Sequence, residues 1–445
     1  MMKNTVSYLA AVLIFIASGC SGDKATDSTP GTVTDDTTST STGYYYQSGG
    51  TAIKANQTYT SSITDTSGVR VTNAGTLTLT NSKITTGGNT TSEDSSSFYG
   101  LNAGVLATSG SKITLTGCSI TTSGTGANGV FATGSGTSIV LSRDTITCTK
   151  DGAHGVDATI AGLLTLTDVI ISTAGAHGAA ISTDRGGGTV TVTGGRAIAS
   201  GQDSPGIYST GTITAHDATI SATGSEAAVI EGANFITLTN TVLSGAKGSR
   251  DRGLMIYQSM SGDAQGTEGT FTMTGGSFNW PSTTGPAMYV TNSTGVITLT
   301  GVTVNNSSAT LIKAGADQWG TTGSNGGTVI FTADGETLTG NIDLDSYSSM
   351  TASLKNSSSL TGHIDAANTA KAIALTLDAT STWTVTANSY LTSLSDAGGI
   401  SGTSITNITS NGHTVYYDAS ATASSPLGGK TYTLNGGGSL TPQTK

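Results

Sequence analysis

The chain has 445 residues, 62 of them glycine, and its 18 basic against 28 acidic side chains give a net charge of −10. Only 10% of residues are charged and six are proline, which excludes collagen and argues against a nucleic-acid-binding surface, since that would be basic. A length of 445 ordinarily implies two or three domains; the exception is a solenoid, which grows along one axis without thickening its core.

The chain opens with Lys3 and then an apolar run at 9–17 (LAAVLIFIA). That is long enough for a signal-peptide core and too short to span a bilayer. The run ends in Ala17-Ser18-Gly19-Cys20, which resembles the lipobox of bacterial lipoproteins. The resemblance implies cleavage before Cys20 and lipidation at Cys20. With Ser21 next, it implies an outer-membrane lipoprotein, facing the periplasm or the cell surface. Residues 1–20 are thus expected to be a signal peptide. Residues 21–43, rich in Ser, Thr and Asp, read as a flexible tether.

From residue 76 the chain repeats. LTLTNSKI (77–84), ITLTGCSI (113–120), IVLSRDTI (139–146), LTLTDVII (164–171), ITAHDATI (213–220), ITLTNTVL (236–243), FTMTGGSF (271–278) and ITLTGVTV (297–304) align without gaps. VTVTGGRA (190–197) and VIFT (329–332) follow the same pattern. The third residue of each segment falls at 79, 115, 141, 166, 192, 215, 238, 273, 299 and 331. Alternation of apolar residues with Thr has period two, the mark of a strand with one buried face. The next residue is Asn, Asp or Gly in eight of ten cases, which predicts a bend in left-handed backbone. A further strand beginning with Gly precedes each segment, as in GVLAT (104–108), GVFAT (129–133), GVDAT (155–159) and GAAIS (178–182). Three short strands per repeat predict one coil of an all-β, single-stranded parallel β-helix, a solenoid of the pectin-lyase-like type. The expected order is an N-terminal cap at 44–75, the β-helix at 76–395 and a C-terminal β cap at 396–445. In this register Ile120 and Ile146 share a column, which puts Cys118 and Cys148 four residues apart along the strand. That is too far for a disulfide, so two free thiols are expected.

The A-[NH]-G-V turns, the T-[VIL]-T-[VIL]-T strands and the segment from Trp383 to Leu394 resemble passenger domains of Gram-negative autotransporters. The resemblance implies a right-handed helix exported to the cell envelope. It implies no particular activity, because passengers include adhesins, proteases and inert stalks. The sequence lacks the membrane barrel such proteins carry, and a lipid anchor would take its place.

No nucleophile, base and orienting group assemble from the five histidines. Asp151-Gly152-Ala153-His154-Gly155 recurs as Ala176-His177-Gly178, so these histidines read as turn residues. Asp343, Asp345 and Asp365 could share a face near the C-terminal end, as a solvated acidic strip or a weak cation site. Three insertions lengthen the repeat, at 86–100, 258–269 and 313–327. The last two leave the same turn two coils apart and offer Asp263, Gln265, Glu268, Asp317, Gln318 and Trp319. A tryptophan beside amides and carboxylates suits sugar rings. The expected function is a monomeric, lipid-anchored adhesin or display protein, with a surface glycan or a host-cell receptor as partner and no cofactor, metal or nucleic acid. The alternatives are a carbohydrate-active enzyme or glycan-binding module using those two loops and, more remotely, ice binding through the Thr columns.

Overall fold

In a computed structural model of the chain, residues 34–36 and 43–443 are described. The signal peptide at 1–20, Cys20 and most of the 21–43 tether lie outside the described residues. The chain forms a right-handed parallel β-solenoid of about 16 turns. Among the described residues, each regular coil supplies one strand to each of three sheets. Sheet A, of 15 strands, holds the Thr-rich aligned segments; sheet C, of ten, holds the strands after each bend; sheet B, of 12, holds the strands that open with glycine. A nine-stranded sheet completes the C-terminal end.

Sheet A strands such as Lys112–Thr116 and Leu163–Thr167 alternate buried and outward residues, because a strand projects successive side chains to opposite faces. The inward column Leu79, Leu115, Leu141, Leu166 is fully buried, each side chain contributing about 1.5–3 kcal/mol of burial. Steps from 79 through 299 pair as the repeat predicts. The last step does not: Leu299 pairs with Ala333, and Phe331 pairs with Ile297. The bend after this strand is therefore at Gly335 (φ 69°). All ten bend residues have positive φ, including Arg143 at 56°.

A second slip of two residues occurs in sheet B, where Val156 pairs with Ile181. Ala180, not Gly178, is therefore equivalent to Gly155, and His177 is not the equivalent of His154. In both cases a shift of two leaves every side chain on its face, so the apolar pattern cannot detect it. Ile120 does pair with Ile146, and Cys118 and Cys148 are buried free thiols.

Residues 44–75, expected as a cap, are built as a coil. Tyr45–Ser48, Thr51–Ala55 and Thr58–Ser61 each pair in parallel with the next coil. Within the stretch read as tether, Thr34–Asp36 adds to the edge of sheet A beside Thr51–Ala55. Beyond residue 396 the strands still pair with preceding coils. Two antiparallel pairings, Ile400 with Ile405 and Tyr432 with Leu440, also appear there, and they occupy backbone groups that an open edge would expose.

All three insertions border sheet B. The first contains helix α1 (Glu93–Tyr99), capped by the Ser92 side chain and ended by Gly100 in left-handed conformation. The helix lies over sheet B, where the Thr159 hydroxyl donates to the Phe98 carbonyl at 2.8 Å. The other two insertions follow Leu254–Tyr257 and Thr310–Ala314, sheet B strands separated by Met288–Thr291.

Candidate functional site on the outer face of sheet B

The residues predicted from the two loops are not gathered at one point. Asp263 accepts from Arg185 at 2.6 Å, and that guanidinium lies 3.8 Å from the Phe98 ring centroid. Asp317 pairs with Arg252 at 2.5 Å and accepts from the Tyr289 hydroxyl at 3.1 Å. Burial raises the Asp317 carboxyl, but the Gln318 amide and Arg252 outweigh it and hold the group below its ordinary value. Trp319 is half-buried, with its ring 4.7 Å from that of Tyr257 and Arg250 5.3 Å above it. Gln265, Glu268 and Gln318 are exposed. Asp317 and Trp319 thus meet on one surface, and Asp263 belongs to a separate bridge.

That surface is the outer face of sheet B, carried by two columns. One runs Arg70, Leu106, Phe131, Asp157, Ser182, Tyr208, Val229, Met255, Tyr289, Lys313. The other includes Thr133, Thr159, Glu231 and Tyr257. Where sheet A has Thr, sheet B has aromatic, aliphatic and acidic residues. Val229, Met255, Tyr257 and Tyr289 form an apolar cluster of their own, edged by Tyr208 and Trp319.

Two cavities open on this face. One of about 460 Å³ is lined by Arg70, Tyr99, Leu106, Thr108 and Thr133 among others. A second of about 190 Å³ is lined by residues including His154, His177, Tyr208, Glu226, Arg250 and Tyr257. Phe98, Arg185 and Asp263 form a bridge on the same face.

Eight carboxylate residues are buried among the described residues. Four of them, Asp144, Glu336, Asp365 and Asp396, accept backbone N–H groups at turns. The other four, Asp157, Asp184, Glu226 and Glu231, sit on or beside the outer face of sheet B. Glu231 accepts from the hydroxyls of Tyr208 at 2.6 Å and Tyr257 at 2.7 Å, and from Ser259. Burial first, and neighbouring acidic groups second, push both phenols well above their ordinary value, so they remain protonated donors.

His154 does act as a turn residue. Its amide donates to the Asn128 Oδ1 at 2.7 Å, and its Nδ1 accepts the Ala179 amide at 3.0 Å. Burial holds its ring neutral, with the pKa lowered to about 4. A ring nitrogen also lies within 4.8 Å of carboxylate oxygens of both Asp157 and Asp184.

The repeat pattern alone does not reveal this grouping. Its signal lies in GVLAT, GVFAT and GVDAT, whose middle residue points outward yet is Leu, Phe or Asp where sheet A carries Thr.

The second acidic group expected from sequence is divided in the fold. Asp343 accepts or shares a proton with the His363 Nε2 at 3.0 Å. Asp345 accepts the Ala316 amide at 2.7 Å, and Asp365 accepts the Thr369 and Ala370 amides. Each of these oxygen sets is engaged in its own turn or pair. No protein-family profile, curated protein or solved structure matches the chain.

Proposed function

We propose that the protein is an exported, lipid-anchored β-solenoid of a Gram-negative envelope, akin to an autotransporter passenger, that acts as an adhesin by holding an extended glycan along the outer face of sheet B. The observation that carries this reading is the alignment of two cavities and an aromatic shelf on the one face bordered by all three insertions. Tyr208 and Trp319, both partly exposed, offer surfaces on which sugar C–H groups stack, with Tyr257 packed behind Trp319. Arg250, Arg252 and Asp317 offer fixed polar partners at their rim. The test is a glycan array probed with the purified mature chain, with Trp319→Ala and Arg250→Ala. Wild type is expected to bind a defined glycan set. Each variant is expected to lose about tenfold or more, the loss of an interface anchor. Unchanged binding by both variants would overturn the reading.

One observation favours a second reading, ice binding. With the register corrected, Thr78, Thr114, Thr165, Thr191, Thr214, Thr237, Thr272, Thr298 and Thr332 occupy one outward column of sheet A, broken over ten coils only by Val140. Strands at a constant spacing make this a regular array of methyl and hydroxyl groups. Thermal hysteresis in the purified protein, lost when Thr191, Thr214 and Thr237 become Lys, would support it; absence of hysteresis in wild type would remove it.

A further inference from the structure

Among the described residues, neither Asp157 nor Asp184 makes an ion pair, and the Arg185 charge acts on Asp184 only from a distance. Asp157 is fully buried, and neither of its carboxylate oxygens makes a hydrogen bond of ordinary geometry; the donors nearest to it are the Ala158 amide and, in the next coil, the Ser182 hydroxyl. Asp184 is 8% exposed, and its Oδ1 accepts the Arg185 amide at 2.7 Å. Oxygens of the two carboxylates approach within 4.8 Å. The nearest guanidinium, that of Arg185, is turned to Asp263 on the surface. Two carboxylates this close and this dry cannot both remain bare anions, because an unpaired buried charge costs several kcal/mol even after relaxation, roughly. Burial and the Asp184 charge push the Asp157 carboxyl upward, and burial pushes Asp184 to about 7.

We propose that Asp157 and Asp184 bind one divalent, oxygen-preferring cation, of the calcium, magnesium or manganese class, at the inner edge of the second cavity. The ligand chemistry follows from His154. Its Nδ1 is occupied as an acceptor of the Ala179 amide, so the neutral ring carries its proton on Nε2. Neither ring nitrogen then has a free lone pair for a metal, and the protein ligands are carboxylate oxygens alone. An all-oxygen set selects hard cations over zinc or copper. His154 is the member of the group that lines the second cavity, and the ion is taken to enter past its ring. The ion's ligands are not residues of the aromatic shelf, although Tyr208 and Tyr257 of that shelf line the same cavity, so ion binding is measured without a glycan.

The experiment uses the mature chain stripped with chelator and then dialysed separately against calcium, magnesium and manganese. Bound metal is measured by mass spectrometry and the melting temperature by circular dichroism. The expected result is one ion retained per chain and a melting temperature raised by a few degrees. Both effects are lost in Asp157→Asn, while the metal-free variant keeps the wild-type β spectrum and melts no lower than metal-free wild type. Asp184→Asn is expected to lose the ion in the same way. Wild type that retains none of the three ions would overturn the proposal, as would an Asp157→Asn variant that retains as much metal as wild type. A wild-type melting temperature indifferent to all three ions but rising as pH is lowered from 8 to 6 would assign the pair to a shared proton instead, and would equally overturn it.

Discussion

Sheets A and B are wound from the same coils, yet their outer faces differ in kind. Along sheet A the outward residue is Thr in coil after coil, and it remains in contact with solvent. Along sheet B the outward column passes from Leu106 and Phe131 through Asp157 to Tyr208, Met255 and Tyr289, and much of it is buried under inserted chain. A solenoid needs only its inward columns to stack. Its outer faces are free to vary, and variation has been concentrated on one of them. Repetition thus marks the part of the surface that only has to be a good exposed strand. The break in repetition marks the part whose outward residues are buried.

The largest expected effect tests whether sheet B's outer face is packed like a core. Phe131→Ala should destabilise by about 3–5 kcal/mol in denaturant titration, because the ring is fully buried against Ala103 and Leu106. A loss near that of a surface change would erase the distinction between the faces.

The glycine that opens several sheet B strands, replaced by Ala180, Ala227 and Ala287 in others, is a second test. A Cβ on Gly129 would stand 2.4 Å from both the Gly155 carbonyl oxygen and the Ile146 Cγ2. Gly129→Ala should therefore cost about 1–3 kcal/mol, the range for overpacking, and lower the melting temperature.

A smaller effect comes from carboxyl groups at the turns. Burial pushes Asp144 up to about 6 against the pull of the Cys118 and Ser142 amides, and burial likewise pushes Asp396 to about 6. Folded-state values above the unfolded ones mean that the native chain takes up these protons first. Their contribution is fully present below about pH 4 and is lost as pH rises through about 6. His154 works in the opposite sense, losing stability as pH falls from about 6.5 towards 4. Thermal melts at pH 7, 6 and 5 should show Asp144→Asn with a shallower gain on acidification than wild type.

The smallest effect belongs to sheet A. Thr165→Ala on its outer face should change stability by no more than about 0.5 kcal/mol in the same titration. A larger loss would show that the Thr column contributes to the fold.

Much of the fold was legible because its information is local. Each coil repeats one apolar pattern, so Leu79 to Leu299 could be stacked by inspection, and the cysteine offset followed from Ile120 and Ile146. The misplacements at Phe331 and at Gly178 share one cause: a strand pattern of period two is blind to a shift of two. The site was less legible because its burial is long-range. Nothing near Asp157 announces that Phe98, almost 60 residues earlier, bridges with Arg185 and Asp263 across the same face. The same slip in sheet B also hid the pair. Read with Gly178 opposite Gly155, Asp184 falls two residues too far along the strand to meet Asp157. Trp319 is legible as a large aromatic in a loop, but its stacking on Tyr257 depends on a register that only the folded coils supply.

The central claim is that recognition belongs to sheet B and not to sheet A. The most direct measurement places one bulky maleimide label on each face, using Lys313→Cys, exposed beside Tyr289, for sheet B and Thr214→Cys for sheet A, with the native Cys118 and Cys148 left buried and unreactive. Glycan-array binding of each labelled protein is compared with its unlabelled form. Binding lost on labelling position 313 and retained on labelling position 214 is the predicted result. Binding retained with the label at 313, or lost only with the label at 214, would contradict it.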